Sequence, residues 1–327
     1  MRRMSIRLYL LLLCLPSLPL VAQNSASPTQ EAAAQAATRL RTLIEAAPKL
    51  PFSATEFVIQ PPNADWATGM ISWIARDGKG TLYLLQRGEK ADPVLAVDRQ
   101  GHVLRSWGKG LYKIPHSIRI DPQGNIWTVD ASSSVVLKYS AQGEKLMEID
   151  VGGQPENSSS AFKGTTDIAF GPNGQLFIAD GYGNPRILEY TAEGKRVREW
   201  GSAGSGPGQF HLPHSIVVDE AGTIYVADRE NGRIQRFDLN GKYLGEFANL
   251  GRTYSLKLSG GALWAGMQPL NEPTGSPGWL VKLDRRSGKI LGYVAVPDKG
   301  GLHSVEIGAD GGPITGVANH VEWFKAR

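Results

Sequence analysis

From residue 52 onward, apolar and polar positions alternate in short runs, and the runs come in pairs around a turn. The clearest pairs are HSIRIDPQGNIWTVD from His116, TDIAFGPNGQLFIAD from Thr166 and HSIVVDEAGTIYVAD from His214. A period of two marks half-buried strands, and the glycine between them marks a hairpin. A third alternating run follows each pair (VVLKYSAQGEKL, RILEYTAEGKRV, RIQRFDLNGKYL), and its glycine turns the chain into a fourth, such as VREWG or LGEFA. Weaker copies begin at Ile71, Tyr254 and His303. Aligning the second residue of each copy puts Ser72, Ser117, Asp167, Ser215, Ser255 and Ser304 in one register, repeating about every 40 to 50 residues. Six four-stranded units of this length predict an all-β fold, a six-bladed β-propeller, in which radial closure removes exposed sheet edges. The last unit ends in VEWFKA, so FSATEFVIQ (residues 52–60) is expected to supply its outer strand and lock the ring.

The pattern before residue 52 is different. In MRRMSIRLYLLLLCLPSLPLVAQ, three arginines precede an apolar run from Leu8 to Val21 that is broken by Pro16 and Pro19. This reads as a secretory signal peptide over residues 1–22, too short for a transmembrane segment. The mature protein is then expected to be exported, to the periplasm or the extracellular space. It would lose Cys14, the only cysteine, and with it any disulfide. Residues 23–50 read as a linker and a short helix (EAAAQAATRLRTLIEAAPKLP) ending before Pro48, either a spacer or a strap packed on the propeller of residues 51–327.

Composition changes this picture little. The chain has 327 residues, with 39 Gly and 20 Pro that suit many tight turns. Its formal charge of +4 falls close to neutral once Arg2, Arg3 and Arg7 leave with the signal, so no nucleic-acid partner is expected.

Down the repeat, the position before each register residue is Ile71, His116, Thr166, His214, Tyr254 and His303. Histidine recurs in blades two, four and six, about 120° apart in a sixfold ring, at the start of the innermost strand. Only six histidines exist in the chain, and three in one structural position point to a metal site. Three neutral imidazoles with an open fourth position suit zinc. His211, His102 and His320 fall off this column. At the end of the second strand a further ring offers Arg87, Tyr182 and Arg229, expected on the same face. A tyrosine and two arginines around a metal suit an anionic substrate with a proton to lose. The competing reading pairs Arg229 and Asp180 with neighbouring blades. Arg186, Arg233 and Arg236 read as surface residues, and Asn184 and Asn231 as turn formers. The glycine-rich GSAGSGPGQF leads into a strand and not a helix, which argues against a phosphate cradle.

At ADGYGNPRILEY, GPGQFHLPHSIVVD and YVADRENGRIQRF the chain resembles the peptidyl-α-hydroxyglycine α-amidating lyase family, whose repeats are of the NHL type, and a bacterial-type secreted member of it. The resemblance implies a propeller holding zinc through His116, His214 and His303, with Tyr182 as the catalytic tyrosine and Arg87 and Arg229 as the active-site arginines. It implies cleavage of the N–C bond of a peptidyl-α-hydroxyglycine to an amide and glyoxylate, hence a small-molecule or peptide substrate bearing a carboxylate. In the family an aspartate after the third histidine helps to bind a structural calcium; here Ser304 stands in that place, which leaves calcium in doubt. Two other readings remain: a non-catalytic NHL propeller serving as a binding protein of the cell envelope, and a calcium-dependent lactonase-type propeller, disfavoured because the column offers imidazoles and not acidic side chains. A monomer is expected.

Overall fold

A computed structural model describes residues 29–153 and 160–327; the signal-peptide reading, Cys14 and the start of the linker lie outside the described residues. Six four-stranded antiparallel sheets follow one another along the chain. The first five run in simple up-and-down order. Blade one spans Ile71–Arg76, Leu82–Gln86, Val94–Val97 and Val103–Trp107, and blade two Pro115–Ile120, Ile126–Asp130, Val135–Tyr139 and Lys145–Asp150. Blade three runs from Asp167–Phe170 to Arg196–Trp200, blade four from Pro213–Val218 to Tyr243–Phe247, and blade five from Arg252–Ser259 to Ile290–Val296. The sixth is a composite: Glu306–Ile307, Pro313–Val317 and His320–Ala326 are completed on the outside by Phe52–Phe57. That strand pairs antiparallel from Phe52 opposite Ala326 to Phe57 opposite Val321. The two ends of the propeller sequence therefore share one sheet, as the alternating FSATEF pattern led us to expect.

The second strand of each blade carries the apolar load because both of its faces are covered. Leu82–Gln86, Ile126–Asp130 and Ile224–Asp228 are buried throughout, whereas outer strands such as Arg196–Trp200 face solvent. Each core lies in the seam between two blades: Trp73, Tyr83 and Leu85 meet Ile118, Leu137 and Tyr139 between blades one and two.

Residues 29–50 form a strap. Thr29 caps the helix Gln30–Glu45, its Oγ1 accepting the Ala32 N–H at 3.2 Å. Ala37, Leu40 and Ile44 point inward, and Leu40 and Ile44 join Leu250, Phe247 and Leu283 in the seam between blades four and five. Leu50 then donates to the Tyr293 carbonyl (2.8 Å) and Tyr293 to the Pro48 carbonyl (3.1 Å), stitching the strap to the outer edge of blade five. Among the described residues no helix is long and apolar enough to cross a membrane.

Candidate metal centre and its cavity

The innermost strands of blades one, two, four and five are each interrupted by one extra residue near their start. Opposite the second strand, Pro115 pairs with Asp130 and Ser117 with Val129, which leaves His116 between two ladder positions. The same bulge leaves out His214, Tyr254 and, in blade one, Ser72. A bulge lets a side chain leave the strict alternation of the strand. It also corrects the sequence register: the blade-one counterpart of the histidines is Ser72, and not Ile71.

The three histidines converge, and one ligand atom from each lies within 4.8 Å of the others. Their ring centroids are 4.6 to 5.0 Å apart. Each is oriented by the odd-numbered blade that follows it. Nδ1 of His116 lies 2.6 Å from the Thr166 carbonyl, Nδ1 of His214 2.6 Å from that of Tyr254, and Nδ1 of His303 2.8 Å from that of Ser72. A carbonyl can only accept, so each Nδ1 carries the proton and each Nε2 its lone pair. The hydroxyls of the odd blades repay the contact: Ser72 Oγ donates to the His116 carbonyl at 2.7 Å, and Thr166 Oγ1 to the Pro213 carbonyl at 2.7 Å. Burial drives all three imidazole pKa values down, that of His303 to about 3. Arg87 adds to the effect at His303, the other two histidines at His116, and Arg229 at His214.

Tyr182 closes the cluster. Its Oη lies 3.3 Å from His116 Nε2 and 3.1 Å from His214 Nε2. The tyrosine rides on a turn after the strand Leu176–Ala179, wedged between two glycines that the packing demands. A Cβ on Gly181 would stand 2.0 Å from the Pro213 carbonyl oxygen, and one on Gly183 2.3 Å from that of Lys163. Arg87 donates from Nε to the Pro115 carbonyl (2.8 Å) and from Nη2 to Ser72 Oγ (2.9 Å), with its guanidinium 5.5 Å from the Phe162 ring. Burial lowers its pKa, opposed by Tyr182 and Asp130. Arg229 lies between aromatic faces, 5.8 Å from the Tyr182 ring and 5.2 Å from that of Tyr254. Its Nε donates to Glu230 Oε1 at 2.8 Å. Although burial opposes it, Tyr182 and Glu230 raise the Arg229 pKa.

Arg87, Tyr182, Arg229, Tyr254 and His303 line a cavity of 580 Å³ at the start of the innermost strands, with Met70, Phe162, Leu212 and Leu302 as apolar walls; His116 and His214 lie buried behind it. It is large enough for a small ligand that joins an anionic end to an apolar body. The structure thus brings His116, His214, His303, Tyr182, Arg87 and Arg229 to one mouth of the ring. Three lone pairs, those of His116 and His214 buried and that of His303 half-buried, face one another, and the single Tyr182 proton can satisfy only one of them. A cation would satisfy all three, so the residues present fit a metal ion with imidazole preference.

Several expectations are corrected here. Asp228 pairs with Arg233 (2.8 Å) and Asp180 with Arg186 (2.9 Å), so neither aspartate binds Arg229. Arg233 is buried, not a surface residue, because its guanidinium also holds the carbonyls of Ser205, Gly206 and Gln209 in the loop before blade four. Asn184 and Asn231 do serve the turns, each donating to its aspartate at 2.8 Å. His102 pairs with Asp98 at 2.9 Å. Ser304 is buried, and its Oγ accepts the Gly316 N–H at 3.4 Å. Tyr254, Phe162 and Glu230 were not anticipated. Tyr254 stood in the histidine column and carried that signal, whereas Phe162 lies in an irregular loop with no periodic mark.

A six-bladed β-propeller with one three-histidine cradle is therefore the class that fold and site define, and residues 210–237 match the NHL repeat. Over 218 residues the chain is 32% identical to peptidyl-glycine alpha-amidating monooxygenase of Mus musculus, covering 57% of this chain and 22% of that protein. Over 148 residues it is 34% identical to the probable peptidyl-alpha-hydroxyglycine alpha-amidating lyase pgal-1 of Caenorhabditis elegans, covering 44% of this chain and 42% of that one. The chain thus spans about a fifth of the length of the first relative and about two fifths of the second. Among solved structures, a streptogramin B lyase superposes with a TM-score of 0.59 at 16% identity, over 84% of this chain and 98% of that one, a likeness of fold alone.

Proposed function

We propose that this protein is an exported, zinc-dependent carbon–nitrogen lyase that splits a peptidyl-α-hydroxyglycine into a primary amide and glyoxylate. The observation that carries the reading is the Tyr182 hydroxyl within 3.3 Å of two of three convergent, Nδ1-anchored histidines, in a cavity with two guanidiniums. Similarity to proteins named as amidating enzymes supports it. On this reading residues 1–22 are the cleaved signal and residues 51–327 the catalytic propeller, acting as a monomer.

The ion held by His116, His214 and His303 supplies Lewis acidity toward a substrate oxygen. Tyr182, deprotonated to the phenolate, takes the proton of the carbinol hydroxyl at its Oη. As the hydroxyl oxygen forms a C=O bond, the C–N bond breaks, its electron pair passes to nitrogen, and the nitrogen takes the proton back from Tyr182 to give the primary amide. The negative charge that Oη carries as the phenolate is stabilised by the nearby guanidiniums of Arg87 and Arg229, in a site where burial strengthens their field. Arg229 binds the substrate carboxylate through its outer amino groups, a planar fork that a lysine cannot reproduce. Met70, Phe162, Leu212 and Leu302 seat the acyl portion and exclude water. The test is glyoxylate release from a hydroxyglycine-terminated peptide by the zinc-loaded protein. Release above the background rate is expected; none from a folded, metal-bearing protein would overturn the assignment and favour a binding role.

A further inference from the structure

Arg229 and Glu230 are chain neighbours, and in a strand their side chains would point to opposite faces. Here the chain leaves its strand at Asp228 and makes a single 3-10 turn over Arg229–Asn231, ended by Gly232 in the left-handed conformation (φ 65°). The turn is pinned by the Arg229 N–H to the Leu212 carbonyl (3.1 Å) and the Glu230 N–H to the His211 carbonyl (3.0 Å). It brings both side chains to one side, so Glu230 Oε1 accepts from Arg229 Nε at 2.8 Å. The other oxygen, Oε2, accepts from Arg252 Nε at 2.8 Å. Arg252 is itself held, its Nη1 donating to the Glu272 carbonyl at 2.5 Å, and the Glu272 side chain meets Arg41 of the strap helix.

We propose that Glu230 is a positioning residue that aims Arg229, and thereby gives the cavity its selectivity for a carboxylate-bearing ligand. The inference rests on the reading of Arg229 as the carboxylate fork. With Nε occupied by Glu230 and the guanidinium plane held between the Tyr182 and Tyr254 rings, the side chain can present only its outer edge, Nη1 and Nη2, to a ligand. Arg252 completes the device. It neutralises the second Glu230 oxygen, so the carboxylate stays put and does not repel the incoming anion. The ordering is made in advance of binding, which lowers the entropic cost of engaging the ligand.

The test compares binding of hippurate, an N-acylglycine carboxylate, with hippuramide, its neutral amide, by calorimetry on the protein as purified. The wild type is expected to prefer hippurate by at least about tenfold, the scale of a charge-assisted pair. Glu230→Gln should reduce that preference about tenfold in the folded protein with hippuramide binding unchanged, because the amide NH₂ cannot accept from both arginines. Glu230→Asp, which keeps the charge but is one methylene too short to span both guanidiniums, should lose it likewise. It serves in place of Glu230→Gln if that variant fails to fold. In turnover, KM should rise with kcat held within about threefold. A folded variant that keeps the wild-type preference, or a wild type without one, overturns the inference. Failure of the lyase reading looks different: no glyoxylate is released, while the carboxylate preference and its loss in the variants persist.

Discussion

The two mouths of the propeller axis treat buried charge in opposite ways. At the far ends of the innermost strands a second cavity, of 450 Å³, is lined by Arg119, Lys257 and Glu306. There Arg119 and Lys257 each have a carboxylate. Arg119 meets Asp167 through two bonds (3.0 and 2.5 Å) and lies over Trp73, and Lys257 meets Glu306 at 2.7 Å. At the histidine mouth, Arg87 is held by a carbonyl and a serine hydroxyl, and Arg229 shares its one carboxylate with Arg252. Neutral acceptors fix a guanidinium without cancelling its charge. The far mouth thus balances Arg119 and Lys257 with carboxylates, and the near mouth keeps a positive field beside three neutral imidazoles. Where a fold leaves cations uncompensated, it has left room for an anion.

The comparison can be broken most severely at the metal. His214→Ala should remove most of the bound zinc, measured by elemental analysis, and with it turnover, whereas no change at Lys257 should affect metal content. Retention of a full equivalent of zinc by a folded His214→Ala protein would show that the cradle is not the site. Next comes Tyr182→Phe, which keeps shape but removes the oxygen; kcat should fall about 10²–10⁴-fold with metal content intact. At the far mouth, Asp167→Asn leaves the half-buried Arg119 guanidinium without its buried carboxylate. Denaturant unfolding should record a loss of about 3–5 kcal/mol, the cost of breaking a buried pair, while any KM of the folded protein stays within about threefold. A large KM change there would mean that the two mouths are not separate. The smallest effect is expected for Arg229→Lys, a rise in KM of about tenfold, since a point charge keeps the attraction but loses the fork.

The strap adds a point about stability. Leu40 and Ile44 are removed from solvent in the seam of blades four and five. Cutting residues 29–50 away exposes that seam and should lower the melting temperature, so the segment is part of the folded unit and not a spacer.

Much of this architecture is local in origin and was therefore legible along the chain. Alternation of period two, a glycine at each hairpin and a repeat of the pattern specify strands, blades and their number, because each blade must bury both faces of its second strand against neighbours built the same way. Even the strand exchange of Phe52–Phe57 follows from one blade being a strand short. The candidate side chains His116, His214, His303, Tyr182, Arg87 and Arg229 could be picked out because they recur at, or depart from, fixed positions of that repeat. What the chain alone left open depends on contacts between distant residues. The bulge that moves the blade-one column from Ile71 to Ser72 is a matter of ladder pairing, invisible to periodicity. The burial of Arg233, the Arg119–Asp167 pair and the Tyr254 face under Arg229 arise where loops and blades meet across tens of residues. Nor could the order of residues tell which arginine Asp228 would hold, Arg229 beside it or Arg233 beyond the turn. The 3-10 turn decides that by its direction, turning one arginine back toward the aspartate and the other out over the metal cradle.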